Sequence, residues 1–178
     1  RAGEGLVEHP SIEKKKRLTV LSVPLDLVDE DELETRITSL LADGGRHQIV
    51  LLSAWDFIKA YGNSAYAISV RRSSLILTSS KLVVWAAKFL RFRELPRYMP
   101  FDFVIRILNI LEKHGRSVYL IGGRPGYLQT AASNLRGSFP KLQIVGRCAG
   151  YFPNVPEENI LLAIKKADPS LPLAGKGA

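Results

Sequence analysis

Short apolar runs alternate along this chain with longer stretches in which apolar residues recur every three or four positions, the pattern of strands exchanging with amphipathic helices. Leu18 to Val23 is an apolar, partly β-branched run stopped by Pro24 and reads as a strand. Asp29 and Glu32 have the spacing of a capping box, and Leu33, Ile37, Leu40 and Leu41 follow at helical intervals as far as Asp43-Gly44-Gly45. A buried strand is expected at Ile49-Val50-Leu51-Leu52, helix from Asp56 to about Arg72 with a break at Gly62-Asn63, and a further strand at Leu75-Ile76-Leu77. From Lys81 onward, Leu82, Trp85, Ala86, Phe89 and Leu90 keep a helical rhythm, which predicts a helix turning those residues to the core.

Pro96 and Pro100 mark Glu94 to Pro100 as a loop, and Asp102 is the expected N-cap of a helix carrying Phe103, Ile107, Ile110 and Leu111 and ended by Gly115. A strand at Ser117 to Ile121, a helix on Leu128, Ala131, Ala132 and Leu135, a strand at Leu142 to Val145 and a helix from Glu157 to Lys166 complete the alternation. The strand runs are continuously apolar, so the pattern predicts an α/β fold: a mainly parallel sheet with helices on both faces. A chain of 178 residues is long enough for one substantial core and short for two, so a single domain is expected. In such sheets ligands sit beyond the carboxyl ends of the strands.

Charge adds an anionic partner to this picture without naming it. The net charge is +8, and the basic residues collect at Lys14 to Arg17, at Arg71-Arg72, and at Lys88, Arg91, Arg93 and Arg97. The first cluster reads as a solvated basic arm over residues 1–17. Nucleic acid is disfavoured, because Trp85 and Phe89 fall at core-facing positions and leave no aromatic interleaving for a single strand. No apolar run is long enough to span a bilayer, and the lone Cys148 has no partner for an internal disulfide, which fits a reducing compartment. His9, His47 and His114 fall in the arm, before a strand and at a helix end, where surface or capping roles are expected. No Cys/His spacing suits zinc and no nucleophile motif occurs, so neither metal nor cofactor is expected.

The most informative stretch is Gly122-Gly123-Arg124-Pro125-Gly126, placed between a strand and a helix. Glycines let a backbone approach phosphate closely, the free N–H groups of a helix start carry partial positive charge, and Arg124 suits a diphosphate. The same residues also suit a plain tight connection, and both readings stand. Gly146 and Gly150-Tyr151-Phe152 follow the next strand and share that edge of the sheet. Tyr151 and Phe152 fit either a base or sugar face or the end of the core.

Taken in order, several segments resemble the WecG/TagA/CpsF family of glycosyltransferases. They are Val23-Pro24-Leu25-Asp26, Leu95-Pro96-Arg97 with Asp102, Ile121 to Gly126, Phe139-Pro140 to Val145-Gly146, Gly150-Tyr151-Phe152 and Ala174-Gly175-Lys176-Gly177-Ala178. The resemblance implies a Rossmann-like domain over 18–178, after the arm. Members of the family move an N-acetylmannosamine-type sugar from a UDP donor to a polyprenyl-diphosphate-linked acceptor at the inner membrane face, with inversion and without a metal-binding acidic motif. Carried over by position, Gly122, Gly123, Arg124, Pro125, Gly126, Gly150 and Tyr151 would bind nucleotide. Arg97 and Asp102 would lie on the anionic, acceptor side, with Pro100 replacing the glycine of the family's Arg-x-x-Gly-x-Asp element.

Other positions depart from the family. Its Thr-x-Asn element, which contacts the donor, stands here as Leu51-Leu52-Ser53, and its Asp-Gly-x-Gly, with the general base, as Ser79-Ser80-Lys81-Leu82. Serine takes no proton from a hydroxyl near neutral pH without a base of its own, and side chains at Ser80 and Leu82 are expected to crowd the pocket. Asp56 is the one nearby carboxylate worth testing. The sequence stops at Ala178, before the family's Pro-Lys-Gln-Glu element and C-terminal appendage. The expectation is therefore a glycosyltransferase-like domain that has lost transfer activity and acts as a binding, structural or protein-interaction component. Its partners would be UDP or a UDP-sugar, a protein or a second copy, and anionic lipid at the inner face of the cytoplasmic membrane. The alternative is an active inverting transferase moving a UDP-linked N-acetylhexosamine to a lipid-diphosphate acceptor in bacterial cell-surface polysaccharide synthesis.

Overall fold

The computed structural model describes residues 16–62, 64–90, 95–150 and 157–175, which fall into two compact units. The first unit comprises Arg1–Glu30 and Arg46–Tyr98. Its described residues open with a hairpin, not the single strand expected: β1 (Arg17–Val20) and β2 (Val23–Asp26) are antiparallel, with Pro24 inside β2 opposite Thr19. The turn is Leu21-Ser22, both at positive φ (47° and 66°), the conformation that keeps a two-residue turn in step with twisted strands. Neither residue is the glycine or asparagine that usually signals it. Asp26 fixes the hairpin: Arg17 Nε donates to its Oδ1 at 2.7 Å, and the backbone N–H of Ile76 donates to its Oδ2 at 2.8 Å. A nearly buried carboxylate is tolerable only with such partners.

Two parallel strands follow, β3 (Ile49–Leu52) and β4 (Leu75–Thr78), in register from Ile49 opposite Leu75 to Leu52 opposite Thr78. Between them run α2 (Ala54–Lys59) and α3 (Ala65–Arg72), separated near Gly62 as the sequence suggests. All four residues of β4 are buried, and since neighbours on a strand point to opposite faces, both faces of β4 are covered. The core is built on Val23, Leu25, Leu52, Phe57, Ile76 and Val83.

The next helix, α4 (Lys81–Phe89), lies where it was expected but is turned the other way. Its buried residues are Val83 and Ala87, whereas Leu82, Trp85, Phe89 and Leu90 are 62–74% exposed. Apart from Lys81 and Lys88, α4 is apolar all round, so periodicity establishes a helix without choosing its inward face. The narrow Val83 and Ala87 side let the helix seat closely, and the bulky side was left in water. The aromatic rings there stack on each other, with centroids 5.6 Å apart.

The second unit comprises Asp31–Gly45 and Met99–Ala178. It takes all but the first residue of α1 (Glu30–Ala42), then α5 (Pro100–Lys113), β5 (Ser117–Gly122), α6 (Pro125–Ser138), β6 (Gln143–Cys148), α7 (Glu157–Ala167) and β7 (Leu171–Gly175). The sheet order is β6-β5-β7, all parallel. Val118, Tyr119 and Leu120 are buried in succession on the central strand, so it too is covered on both faces. The edge strand β7 contains Pro172, which disguises it in the sequence but is allowed at a sheet edge.

Strand β6 runs to Cys148, so Gly146 lies within the strand instead of after it. It faces Tyr119 across a bulge, and a β-carbon there would stand 2.3 Å from the tyrosine ring. Helix α5 starts three residues earlier than expected, with Met99 as N-cap and Pro100 at the first helical position. Asp102 is thus a first-turn acid and not the cap, well placed against the positive end of the helix. Gly115 ends the helix at φ 60°. Strand and helix alternation with parallel pairing in both units is the α/β, Rossmann-like class expected of the chain.

Candidate functional site at the strand ends

In the first unit, Ser53, Ser79 and Ser80 all lie just beyond the carboxyl ends of β3 and β4. Ser53 is the N-cap of α2, and its N–H and hydroxyl both donate to Asp56 Oδ2, at 2.8 and 2.7 Å. The Tyr66 hydroxyl donates to the other oxygen at 3.2 Å. Partial burial pushes the Asp56 carboxyl up, but the bonds from Ser53 and Tyr66 and the Lys59 charge outweigh it and hold the group below the usual carboxylate range. Burial and the same carboxylate raise Tyr66 in turn. Asp56 is therefore a helix-start acid with both oxygens engaged.

The Leu52 carbonyl accepts from the Ser79 N–H at 2.9 Å, the Thr78 hydroxyl at 3.1 Å and the Ser79 hydroxyl at 3.3 Å. Ser80 is buried and caps α4, its hydroxyl accepting from Val83 N at 3.3 Å, while its own N–H donates to Thr78 Oγ1. Arg97 donates from Nε to the Ser79 carbonyl at 2.9 Å, and Tyr98 N donates to Thr78 O at 3.0 Å. The structure thus brings Arg97 onto Ser79, a pairing its distance in sequence does not announce. Leu82 does not crowd this region as expected, because it points outward with 69% of its surface exposed.

In the second unit the loops after β5 and β6 meet. Gly122 (φ 131°) pairs with Gly175 on β7, and a β-carbon on it would fall 2.0 Å from the Gly175 carbonyl oxygen. The Gly150 N–H donates to the Gly123 carbonyl at 2.9 Å, joining the two loops. Arg124 is the N-cap of α6 without a side-chain capping bond, and Pro125 takes the first helical position. Arg124 and Gly126 are exposed, and a β-carbon on Gly126 would meet nothing within 4 Å among the described residues. The first-turn N–H groups of such a helix carry partial positive charge and suit an anion. Tyr151 and Phe152, like Arg91 and Arg93, lie outside the described residues.

Asp102, also of the second unit, borders an open surface cavity with Glu34, Arg106, Asn109 and Lys113. Lys113 Nζ sits 2.5 Å from Glu34 Oε1 and holds that carboxyl below its ordinary value. Thr78 and Tyr66 were not anticipated as contributors; their partners stand 26 and 10 residues away, and no local motif marks them. Among the described residues no three of His, Cys, Asp and Glu gather as a metal site, and no helix is long and apolar enough to cross a membrane.

Parallel strands ending in glycine turns and helix starts define an α/β protein of the kind that carries its ligands at the strand ends. The chain belongs to the glycosyl transferase WecG/TagA/CpsF family, whose family profile matches residues 18–178. No curated protein matches the sequence.

Proposed function

We propose that this glycosyltransferase-like domain no longer transfers sugar and serves as a UDP-binding and protein-interaction component at the cytoplasmic face of the membrane. The observation that carries the reading is Ser79. At the position the family resemblance gives to the general base stands a hydroxyl that donates to the Leu52 carbonyl. Such a group accepts no proton from an acceptor hydroxyl near neutral pH. Asp56 does not replace it, since its oxygens accept from Ser53 and Tyr66 and its carboxyl is held low. Retained nucleotide binding is supported by the second unit, where Arg124 is exposed beside an open Gly126 at the start of α6.

Two measurements test this. With UDP-N-acetylmannosamine and a polyprenyl-diphosphate-linked acceptor, no transfer is expected; turnover that disappears in Ser79→Ala would overturn the loss of activity. UDP is expected to protect the domain against thermal unfolding, by about 2.7 kcal/mol at a hundred times its Kd. Absence of protection at millimolar UDP would remove the nucleotide and leave an interaction module.

A further inference from the structure

The nucleotide reading proposed above makes no use of the outward face of α4. Leu82, Trp85 and Phe89 follow one another at helical spacing along it, 69%, 65% and 74% exposed. Helix α2, which packs against α4, exposes Trp55 and Ile58 at 61% and 57%. Both tryptophans of the chain therefore stand in water on two touching helices. A soluble surface seldom leaves so many large apolar side chains together unless something covers them.

The charges beside them indicate what does. Helix α4 carries Lys81 and Lys88 and no acidic residue. Helix α2 ends in Lys59, and its one carboxylate, Asp56, is engaged by Ser53 and Tyr66. The chain as a whole is at +8. A second copy on this face would bring like charges together, which opposes the contact. An anionic bilayer reverses that sign: its phosphates attract the lysines, and its headgroup boundary accepts tryptophan, phenylalanine and leucine. Lysines beside an aromatic and aliphatic stripe are the composition of a helix that lies in a membrane interface.

We propose that the exposed faces of α2 and α4 dock this domain on an anionic lipid bilayer, with Trp85 and Phe89 entering the headgroup boundary and Lys81 and Lys88 on lipid phosphates. The inference rests on the membrane placement proposed above and supplies the surface that achieves it. It does not depend on UDP binding.

The tryptophans report the event directly. Titrating the full chain with vesicles of phosphatidylglycerol and phosphatidylcholine should shift its emission to the blue, and bromine on the acyl chains should quench it. Phosphatidylcholine alone should do neither. Leu82→Ser with Phe89→Ser keeps both reporters and alters only exposed positions; it should weaken partitioning by about tenfold or more while leaving the melting temperature unchanged. Lys81→Glu with Lys88→Glu should abolish the preference for anionic lipid. UDP protection measured on the same variants should persist, so loss of lipid binding and loss of nucleotide binding are read apart. Unchanged emission with anionic vesicles would overturn the proposal, as would binding that survives both double variants. It is equally overturned by a blue shift that comes without lipid as the chain doubles its mass in sedimentation, or with a single-stranded oligonucleotide in place of vesicles.

Discussion

The two units finish their parallel strands by different means. Beyond β3 and β4, side chains close on the backbone: Ser79 and Thr78 donate to the Leu52 carbonyl, Ser80 caps α4, and Ser53 with Asp56 caps α2. Beyond β5 and β6, the backbone is shaped by the lack of side chains, at Gly122 against Gly175 and at Gly150 against Gly122. An end finished by side-chain bonds has spent its donors and acceptors within the protein. One finished by glycine lets backbone pack directly on backbone. Within one family member, the two sets of strand ends are thus closed by different chemistry, hydroxyl and carboxylate bonds in the first unit and glycine packing in the second.

This contrast is broken most easily at Gly122. Its φ of 131° and the 2.0 Å approach to the Gly175 oxygen mean that Gly122→Ala must displace backbone and not a flexible side chain. A loss of about 3 kcal/mol in urea unfolding is expected. A neutral result would show that β7 does not bind β5 as closely as described. At the serine-finished end the cost is smaller. Ser80→Ala should lose about 1 kcal/mol through the cap of α4, whereas Ser80→Gly, which restores the residue type of the family motif, should lose only a few tenths. Equal losses in the two variants would mean that the Ser80 hydroxyl does more than cap.

Asp56 sharpens the same point through pH. Asp56→Ala should lower stability by no more than about 1 kcal/mol near neutrality, because the site is largely solvated and the bonds are those of a helix cap. The folded protein holds this carboxyl below its ordinary value, so its contribution is complete above the ordinary carboxylate pKa of about 4 and fades as pH falls through the lower folded value. Thermal melts of wild type and variant should converge in acid. Convergence toward alkaline pH would require a raised carboxyl and would revive Asp56 as a proton acceptor.

Much of the fold was legible because burial leaves long apolar runs. The expected strand at Ile49 to Leu52 coincides with β3, and the break near Gly62 divides α2 from α3. The failures share a cause: the deciding interaction was not local. Leu21-Ser22 turns at positive φ without a turn residue, Pro172 hides an edge strand, and α4 is apolar on both sides, so only the seat of Val83 and Ala87 on the core picks its face. The site divides likewise. Gly122 was legible because geometry demands glycine there. The bond of Arg97 to Ser79 O and the commitment of Asp56 to Ser53 and Tyr66 depend on where separate segments come to rest.

The smallest expected effect bears most directly on function. Gly126 differs from Gly122 and Gly150 because it has neither a positive φ nor a neighbour that a β-carbon would strike, yet it sits in the first turn of α6. Glycine in a helix costs stability relative to alanine, and no contact among the described residues accounts for it. If the loop is only a connection, Gly126→Ala should raise stability by about 0.5 kcal/mol and change nothing else. If a diphosphate approaches the amides of that turn, the variant should gain the same stability while UDP protection falls, since the added methyl occupies space the ligand needs. Thermal melts with and without UDP on this one variant therefore distinguish a glycine kept for the chain from one kept for a ligand.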